Sequence, residues 1–249
     1  SQVQRDTHSE YLHYYYTKTD ASPVRLREAV ANDFDVRNVM LEKEFERILH
    51  QAIGERSALI KILSRGGEGK STFLYRIART YCSRHTVIWL ENLNSDLLND
   101  IKHNVQRLDT EGALILLLDN AAIYGRELTD FAQKLTTFFR KYPLVLVVAE
   151  REFRYMNIEG RDTFEAAFNE THAIQYQANR LRQPIFDRLI AHIQRDHPLP
   201  AEILGEANRF FLADPRMSIT ECIFSVIKYL KEKTGLKGYT FDWEDWERF

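Results

Sequence analysis

A glycine-rich segment at residues 64–72, with the sequence SRGGEGKST, constrains this chain more than any other feature. It follows a short apolar run at residues 59–63, which predicts a buried strand. Apolar side chains then recur at helical spacing, which predicts a helix after the loop. A strand, a glycine loop and a helix N-terminus in this order turn backbone N–H groups towards one centre, and such a centre attracts an anion. The segment therefore predicts an α/β fold with an anion site at the end of a strand.

The residue types within the loop indicate which anion it holds. Three glycines supply turns that side chains would block, namely Gly66, Gly67 and Gly69. Lys70 opens the predicted helix, where its ammonium group can reach the terminal phosphates of a nucleotide, and the Ser71 hydroxyl can hold Mg²⁺. Ser64 departs from the usual pattern, which has glycine at this position. The candidate nucleotide-binding residues of the loop are Arg65, Gly66, Gly67, Glu68, Gly69, Lys70, Ser71 and Thr72.

Continuous apolar runs alternate with helical patterns through the middle of the chain. The predicted strands lie at residues 59–63, 86–90, 113–118 and 144–149, with a weaker one at 173–176. Ser95 is the predicted N-cap of the helix after the second strand. Apolar strands separated by helices are typical of a parallel sheet covered on both faces, and ligands bind at the carboxyl ends of its strands. The residues at these ends are Ser64, Glu91, Asp119 and Arg151.

The pattern divides the chain into three parts. Residues 1–54 form a lead-in, with a tyrosine cluster at residues 11–16, and one amphipathic helix that ends near Gly54. Residues 55–177 form the parallel-sheet core. From residue 178 only helical patterns remain, so residues 178–249 form a small helical domain that ends in an aromatic tail. Since Ser1 is not a natural start, we expect the chain to be part of a longer protein.

The ends of the neighbouring strands supply candidate catalytic residues. Asp119 ends a wholly apolar strand about fifty residues after the loop, which suits the carboxylate that holds Mg²⁺. The alternative is an ordinary turn aspartate. Asn120 follows it, where many phosphate-loop ATPases have a glutamate that activates water, and an amide cannot accept a proton. Glu91 is therefore the first candidate for the catalytic base.

Arg151 ends the fourth predicted strand, where a cation can sense or stabilise a γ-phosphate. A surface salt bridge with Glu150 or Glu152 explains this arginine equally well. The same two glutamates are further candidates for the base, behind Glu91.

Composition argues against several classes of protein. The formal net charge is −2, whereas a duplex-DNA-binding domain is usually basic, so nucleic acid is demoted as a partner without being excluded. No apolar run approaches the ~20 residues of a membrane span, and residues 1–6 lack the apolar stretch of a signal peptide. We therefore expect a cytoplasmic protein without a membrane partner. Cys82 and Cys222 are predicted to be buried thiols, and the histidines do not show metal-ligand spacing.

Four segments together resemble the STAND group of AAA+-like signalling ATPases, in particular the bacterial lineages found in antiphage defence proteins. They are Asp35-Val36-Arg37, the phosphate loop, Leu118-Asp119-Asn120 and Ala149-Glu150-Arg151-Glu152. The resemblance covers most of the chain. It implies a P-loop NTPase core of the additional-strand (ASCE) type, with strand order 5-1-4-3-2.

The resemblance also implies a role for each matched residue. Arg37 would lie near the base or the phosphates, and Lys70 would grip the phosphates. Ser71 and Asp119 would hold Mg²⁺, and Arg151 would sense the terminal phosphate. These roles follow from the family pattern and not from spacing alone.

The function that the resemblance implies is a nucleotide-dependent switch. Such proteins hold ADP or ATP between the sheet domain and the helical domain, and they self-associate after nucleotide exchange to activate an effector. We do not recognise an effector or sensor domain in this sequence. The sequence lacks a guanine-reading Asn-Lys-x-Asp element, which favours ATP over GTP, and Asn120 predicts slow hydrolysis. The alternatives are a motor-type AAA+ ATPase or nucleic-acid remodeller, and a nucleotide-locked scaffold that never hydrolyses.

Overall fold

The structure, a computed structural model, describes residues 27, 30–33, 35–93, 96–105, 112–176 and 178–236. The tyrosine cluster, the helix cap at Ser95 and the aromatic tail at residues 239–249 lie outside the described residues. The described residues divide into two compact units. The sheet unit consists of residues 38–66 and 73–176, and the helical unit consists of residues 67–72 with the described residues before 38 and after 177. The three-part division inferred from the sequence stays a prediction.

Parallel strands form the centre of the sheet unit. They are β1 (Ser57–Ser64), β2 (Thr86–Leu90), β3 (Leu114–Asp119), β4 (Leu144–Arg151) and β5 (Glu170–Gln175). Their spatial order is β2-β3-β4-β1-β5, which confirms the α/β fold class and the order 5-1-4-3-2. The fifth strand begins at Glu170 and not at residue 173. Its start was predicted wrongly because only Ile174 of β5 is buried, so the strand lacks a long apolar run.

Burial on both faces explains why the central strands form. Every residue of β3 before Asp119 is buried, and so is every residue of β4 before Arg151. Full burial of one aliphatic side chain contributes about 1.5–3 kcal/mol, so these two strands dominate the core. β1 carries one polar side chain at its centre, Lys61, and its ammonium nitrogen lies 3.0 Å from Glu165 Oε1.

Helices accompany the strands of the sheet unit. They are α1 (Val39–Gly54), α2 (Lys70–Tyr81), α3 (Leu97–Val105), α4 (Arg126–Phe138), α5 (Glu152–Met156) and α6 (Arg161–Ala166). The first turn of α2 is assigned to the helical unit. α1 begins where the Asn38 side chain accepts a hydrogen bond from Leu41 N at 3.2 Å, as expected for an N-cap. Helices as short as α5 and α6 do not show a helical repeat in the sequence, so neither of them was predicted.

The helical unit contains a short 3₁₀ turn (Ala178–Leu181) followed by α7 (Arg182–Asp196), α8 (Ala201–Ala213) and α9 (Ile219–Thr234). α8 packs against both α7 and α9. At the start of α9 the Ser218 hydroxyl accepts a hydrogen bond from Glu221 N at 3.2 Å, and the Glu221 carboxylate accepts one from Ser218 N. This capping box satisfies two N–H groups and fixes the first turn of α9. The helix ends at Gly235, whose φ of 65° is left-handed.

One prediction about the cysteines is wrong. Cys82 is exposed, because it lies just beyond the last residue of α2, whereas Cys222 is buried as predicted. None of the described helices combines the length and the apolar character that a bilayer crossing requires.

Candidate nucleotide-binding site

The parallel register of the sheet unit brings the ends of several strands to one edge. Ser64 pairs with Arg151 across β1 and β4, and Asp119 pairs with Ala149 across β3 and β4. Leu90 pairs with Leu118, so Glu91, which follows Leu90, leaves the sheet at the same edge. The phosphate loop continues from Ser64 there. All four strand-end residues named from the sequence therefore lie along one edge of the sheet.

The turn after β3 fixes the conformation of the candidate magnesium ligand. Asp119 Oδ1 accepts a hydrogen bond from Asn120 N at 3.0 Å. Asn120 has a left-handed backbone, with φ 53° and ψ 47°, and its N–H also donates to the Ala149 carbonyl at 2.9 Å. Asparagine tolerates this conformation better than most residues. Asn120 therefore turns the chain sharply while its backbone stays bonded to β4.

Arg151 lies against the first half of the phosphate loop. A Cβ added at Gly66 would lie 3.1 Å from Arg151 Cζ and 3.1 Å from Arg151 Nε. Any larger residue at position 66 would therefore displace the guanidinium group. Within the sheet unit, Gly66 allows a cation to approach the loop backbone closely, which suits a site for negatively charged phosphate groups.

The second half of the loop contains two glycines with positive φ angles. Gly67 and Gly69 have φ values of 69° and 98°, which residues other than glycine rarely adopt. Lys70 is the first residue of α2 and is only 9% exposed, and Ser71 and Thr72 are half-buried. The arrangement of these three side chains around a phosphate chain stays a prediction.

The tip of the loop is bonded within the helical unit to the start of α9. The Gly67 carbonyl accepts hydrogen bonds from Thr220 Oγ1 at 3.0 Å and from Thr220 N at 3.2 Å. Ser218 Oγ would lie 3.1 Å from a Cβ at Gly67. Neither Ser218 nor Thr220 was predicted from the sequence: a Ser-x-x-Glu spacing marks a helix start, but it does not indicate contact with a loop 153 residues away.

The remaining candidates lie in different surroundings. Glu91 is exposed, and its backbone carbonyl accepts a hydrogen bond from the Tyr124 hydroxyl at 3.1 Å. Arg37 and Arg65 are both exposed. Among the described residues, no cluster of three or more His, Cys, Asp or Glu side chains could hold a metal ion.

Glu150 is not an accessible base. It is 1% exposed, and its two carboxylate oxygens accept hydrogen bonds from Ala122 N at 2.8 Å and from Arg151 N at 2.7 Å. Arg154 Nη1 lies 3.8 Å from Glu150 Oε1. This burial and these bonds do not favour Glu150 as the base, and the salt bridge of Arg151 with Glu150 or Glu152 stays a prediction.

A parallel sheet of order 5-1-4-3-2 with a glycine loop after β1 defines the class of P-loop NTPases. Within this class, the model of a family described as Novel STAND NTPase 5 matches residues 21–162. The chain belongs to this family, which confirms the resemblance to STAND NTPases. It is a nucleotide-binding NTPase module.

Solved structures support the fold. A DNA replication initiation factor has a TM-score of 0.53 and 17% identity, over 86% of this chain and 66% of that one. The Aeropyrum pernix ORC1 protein, in complex with DNA, has a TM-score of 0.56 and 11% identity, over 86% and 66%. Hsp104 of S. cerevisiae, in a casein complex, has a TM-score of 0.55 and 15% identity, over 86% and 41%. At such identities these matches show the fold alone. A search of curated proteins found no significant match.

Proposed function

We propose that this chain is a regulatory ATPase module that binds ATP or ADP with Mg²⁺, hydrolyses ATP slowly and acts as a nucleotide-dependent switch. The observation that carries this proposal is the pair of hydrogen bonds from Thr220 to the Gly67 carbonyl. The segment that would receive the phosphates is thereby joined to the first turn of α9. A phosphate group that moves the Gly67 carbonyl changes these bonds, so nucleotide affinity and the conformation of the helical unit become linked.

The size of this link follows from the bonds themselves. One neutral hydrogen bond contributes about 0.5–1.5 kcal/mol net. Two bonds on one carbonyl therefore provide about 1–3 kcal/mol, which corresponds to a change of roughly 5–150-fold in affinity. That range is sufficient for a switch between nucleotide states.

The proposed roles in phosphate binding follow the chemistry of the loop and the strand ends. Loop N–H groups and Lys70 would bind the phosphates, with Arg37 near the base or phosphates, and Arg151 would sense the γ-phosphate. The Ser71 hydroxyl and the Asp119 carboxylate fit Mg²⁺, because it prefers oxygen ligands and is often bound by one carboxylate together with substrate phosphates. When bound, Mg²⁺ neutralises charge on the β- and γ-phosphates.

Slow hydrolysis follows from the residue after Asp119. Asn120 can orient a water molecule but cannot accept its proton. Glu91 is the proposed base, since its strand ends beside β3 and its side chain is exposed. By resemblance, the module would self-associate and regulate an effector, for which antiviral defence is the proposed setting.

The test is nucleotide-dependent thermal stabilisation. Ligand at about 100 times its dissociation constant adds roughly 2.7 kcal/mol, which raises the Tm of a chain of this size by about 5–10 °C. We expect this rise with ATP or ADP and Mg²⁺ in the native chain and in the control Lys134→Ala, which removes an exposed lysine of α4. Lys70→Ala should remove it.

The outcomes separate the candidate functions. A rise in Tm that persists unchanged in Lys70→Ala contradicts the site assignment. Turnover measured with and without single-stranded DNA or RNA distinguishes the switch from a remodeller, because a remodeller is stimulated by its polymer. Tight ADP binding with no measurable turnover would instead favour the nucleotide-locked scaffold.

A further inference from the structure

We propose that Glu150 is a positioning residue for ATP hydrolysis, and this inference rests on the proposed function. Its carboxylate ties the turn that follows β3 to the end of β4. Through that tie it sets the orientation of Asp119, Asn120 and Arg151, without contacting the nucleotide itself.

The carboxylate of Glu150 is buried, and each of its oxygens has a hydrogen-bond partner. The side chain of Glu150 is 0% exposed. A carboxylate removed from water is costly unless hydrogen bonds and opposite charge compensate it. Here each oxygen accepts one backbone N–H, from Arg151 at 2.7 Å and from Ala122 at 2.8 Å, and Arg154 Nη1 is 3.8 Å away. The group is held firmly at the edge where the strand ends meet.

One of these bonds holds the segment that follows Asp119. The short turn from Asn120 to Ala122 leaves β3 directly after Asp119. It is bonded to β4 at two points, by Asn120 N to the Ala149 carbonyl at 2.9 Å and by Ala122 N to Glu150. Two attachment points define the direction of the peptide that carries Asn120 and, through Asn120 N, orient Asp119 Oδ1.

Only a carboxylate supplies the two acceptor oxygens that are used at this position. Glu150 accepts from two different N–H groups, one at each oxygen. Glutamine has one carbonyl oxygen, and its NH₂ group would face an N–H donor. An aliphatic residue would leave both N–H groups without this acceptor. The requirement is therefore for two acceptor oxygens, and Glu150→Gln removes one of them at constant volume.

The same oxygen pair links the turn to the arginine. Glu150 Oε1 accepts a hydrogen bond from Arg151 N. The Glu150 carboxylate therefore holds the backbone of Arg151 as well as the turn. A shift in one is transmitted to the other. A displacement of about 1 Å in a reacting site can cost roughly 100-fold in rate, whereas ADP lacks the γ-phosphate that Arg151 is proposed to sense.

The experiment compares turnover with binding in Glu150→Gln. Steady-state kcat is measured with ATP and Mg²⁺, and Kd is measured by calorimetric titration with ADP and Mg²⁺. We expect kcat to fall about 10–100-fold while Kd for ADP changes less than about threefold. The control is Glu159→Gln, which removes an exposed carboxylate of the sheet unit that pairs with Arg126. It should leave both quantities unchanged.

Each result bears on a definite claim. Native turnover in a folded Glu150→Gln overturns the positioning role, and so does an equal loss of turnover and ADP binding, since that indicates a general structural defect. If Glu150→Gln does not fold, Glu150→Asp is used instead. This variant retains both carboxylate oxygens on a side chain that is shorter by one methylene group. It should show reduced kcat with native Kd, and native kcat in it overturns the proposal. If the native chain binds neither ATP nor ADP, the proposed function itself is refuted. This result differs from failure of the Glu150 proposal, in which the native chain still binds nucleotide.

Discussion

Replacing Gly67 by alanine tests the contact between the loop tip and α9 directly. The added Cβ would lie 2.8 Å from Thr220 Oγ1 and 3.0 Å from Thr220 Cβ. Neither atom can withdraw easily, because Thr220 is in the first turn of a helix whose start is fixed by the Ser218–Glu221 capping box. The backbone at Gly67 has a φ of 69°, so alanine is also strained there irrespective of its neighbours.

The expected cost has two parts. The left-handed backbone costs about 1–2 kcal/mol for a residue with a Cβ, and forcing an extra carbon into an occupied space costs about 1–3 kcal/mol. Displacement of Thr220 also weakens its hydrogen bonds to the Gly67 carbonyl, and the steric cost given above includes this loss. We therefore expect Gly67→Ala to lower the free energy of unfolding of the helical unit by about 2–5 kcal/mol.

The assay is urea unfolding followed by circular dichroism, with Gly205→Ala as the matched control. Gly205 lies within α8 and a Cβ there would meet no atom within 4 Å, so this substitution should stabilise the chain by about 0.5–1 kcal/mol. The opposite signs of the two Gly→Ala changes follow from the two environments, because Gly67 has a left-handed backbone beside Thr220 whereas Gly205 has open space around it. Thr220→Ala completes a double-mutant cycle, in which the loss for the double variant should be smaller than the sum of the single losses.

Two results would refute this reasoning. One is a Gly67→Ala chain as stable as the native chain to within about 0.5 kcal/mol. The other is strict additivity with Thr220→Ala, because the steric part of the cost requires the Thr220 side chain.

Two further predictions concern proton transfer and pH. Glu91→Gln should lower kcat by about 10²-fold or more while Kd for ADP stays native, and full turnover would remove Glu91 as the base. Burial, followed by the charges of Arg84 and His50, lowers the pKa of His85 from its ordinary value of 6.5, and His85 Nδ1 accepts a hydrogen bond from Ala113 N at 3.2 Å. The unfolded chain then binds this proton more tightly, so stability should fall as pH decreases below about 6.5. His85→Asn keeps an acceptor at the δ position and should show a smaller fall in urea unfolding; an equal fall would exclude His85 as the cause.

Periodic and compositional signals made most of the sheet predictable. β3 and β4 are continuous apolar runs because both of their faces are covered, and the loop that follows β1 is recognisable from its glycines and Lys70. The strand order came from the family resemblance, since hydrophobic periodicity does not specify which strands are neighbours. β5, α5 and α6 were placed poorly or missed because short or half-exposed elements carry little apolar signal.

The roles of Glu150 and Thr220 could not be predicted, because both depend on contacts between distant residues. Glu150 follows a buried strand, where a carboxylate normally marks the point at which the chain meets solvent. Its burial becomes apparent only when the Ala122 amide, 28 residues away, is seen to point at it. Thr220 is an ordinary helix-start residue until Gly67 is placed beside it.

The three carboxylates at the edge of the sheet differ in environment, and this difference bears on the rate of hydrolysis. Glu150 is buried with both oxygens bonded, so it is unsuited to proton transfer. Asp119 is half-buried and, in the proposed function, is committed to Mg²⁺. Glu91 stays the first candidate for the base, ahead of Glu152; its side chain is exposed, and its backbone carbonyl accepts a hydrogen bond from the Tyr124 hydroxyl. In the proposed function, a base that must be ordered from solvent for each turnover would act slowly, and a slow rate would let the switch keep its nucleotide state while the two hydrogen bonds between Gly67 and α9 respond.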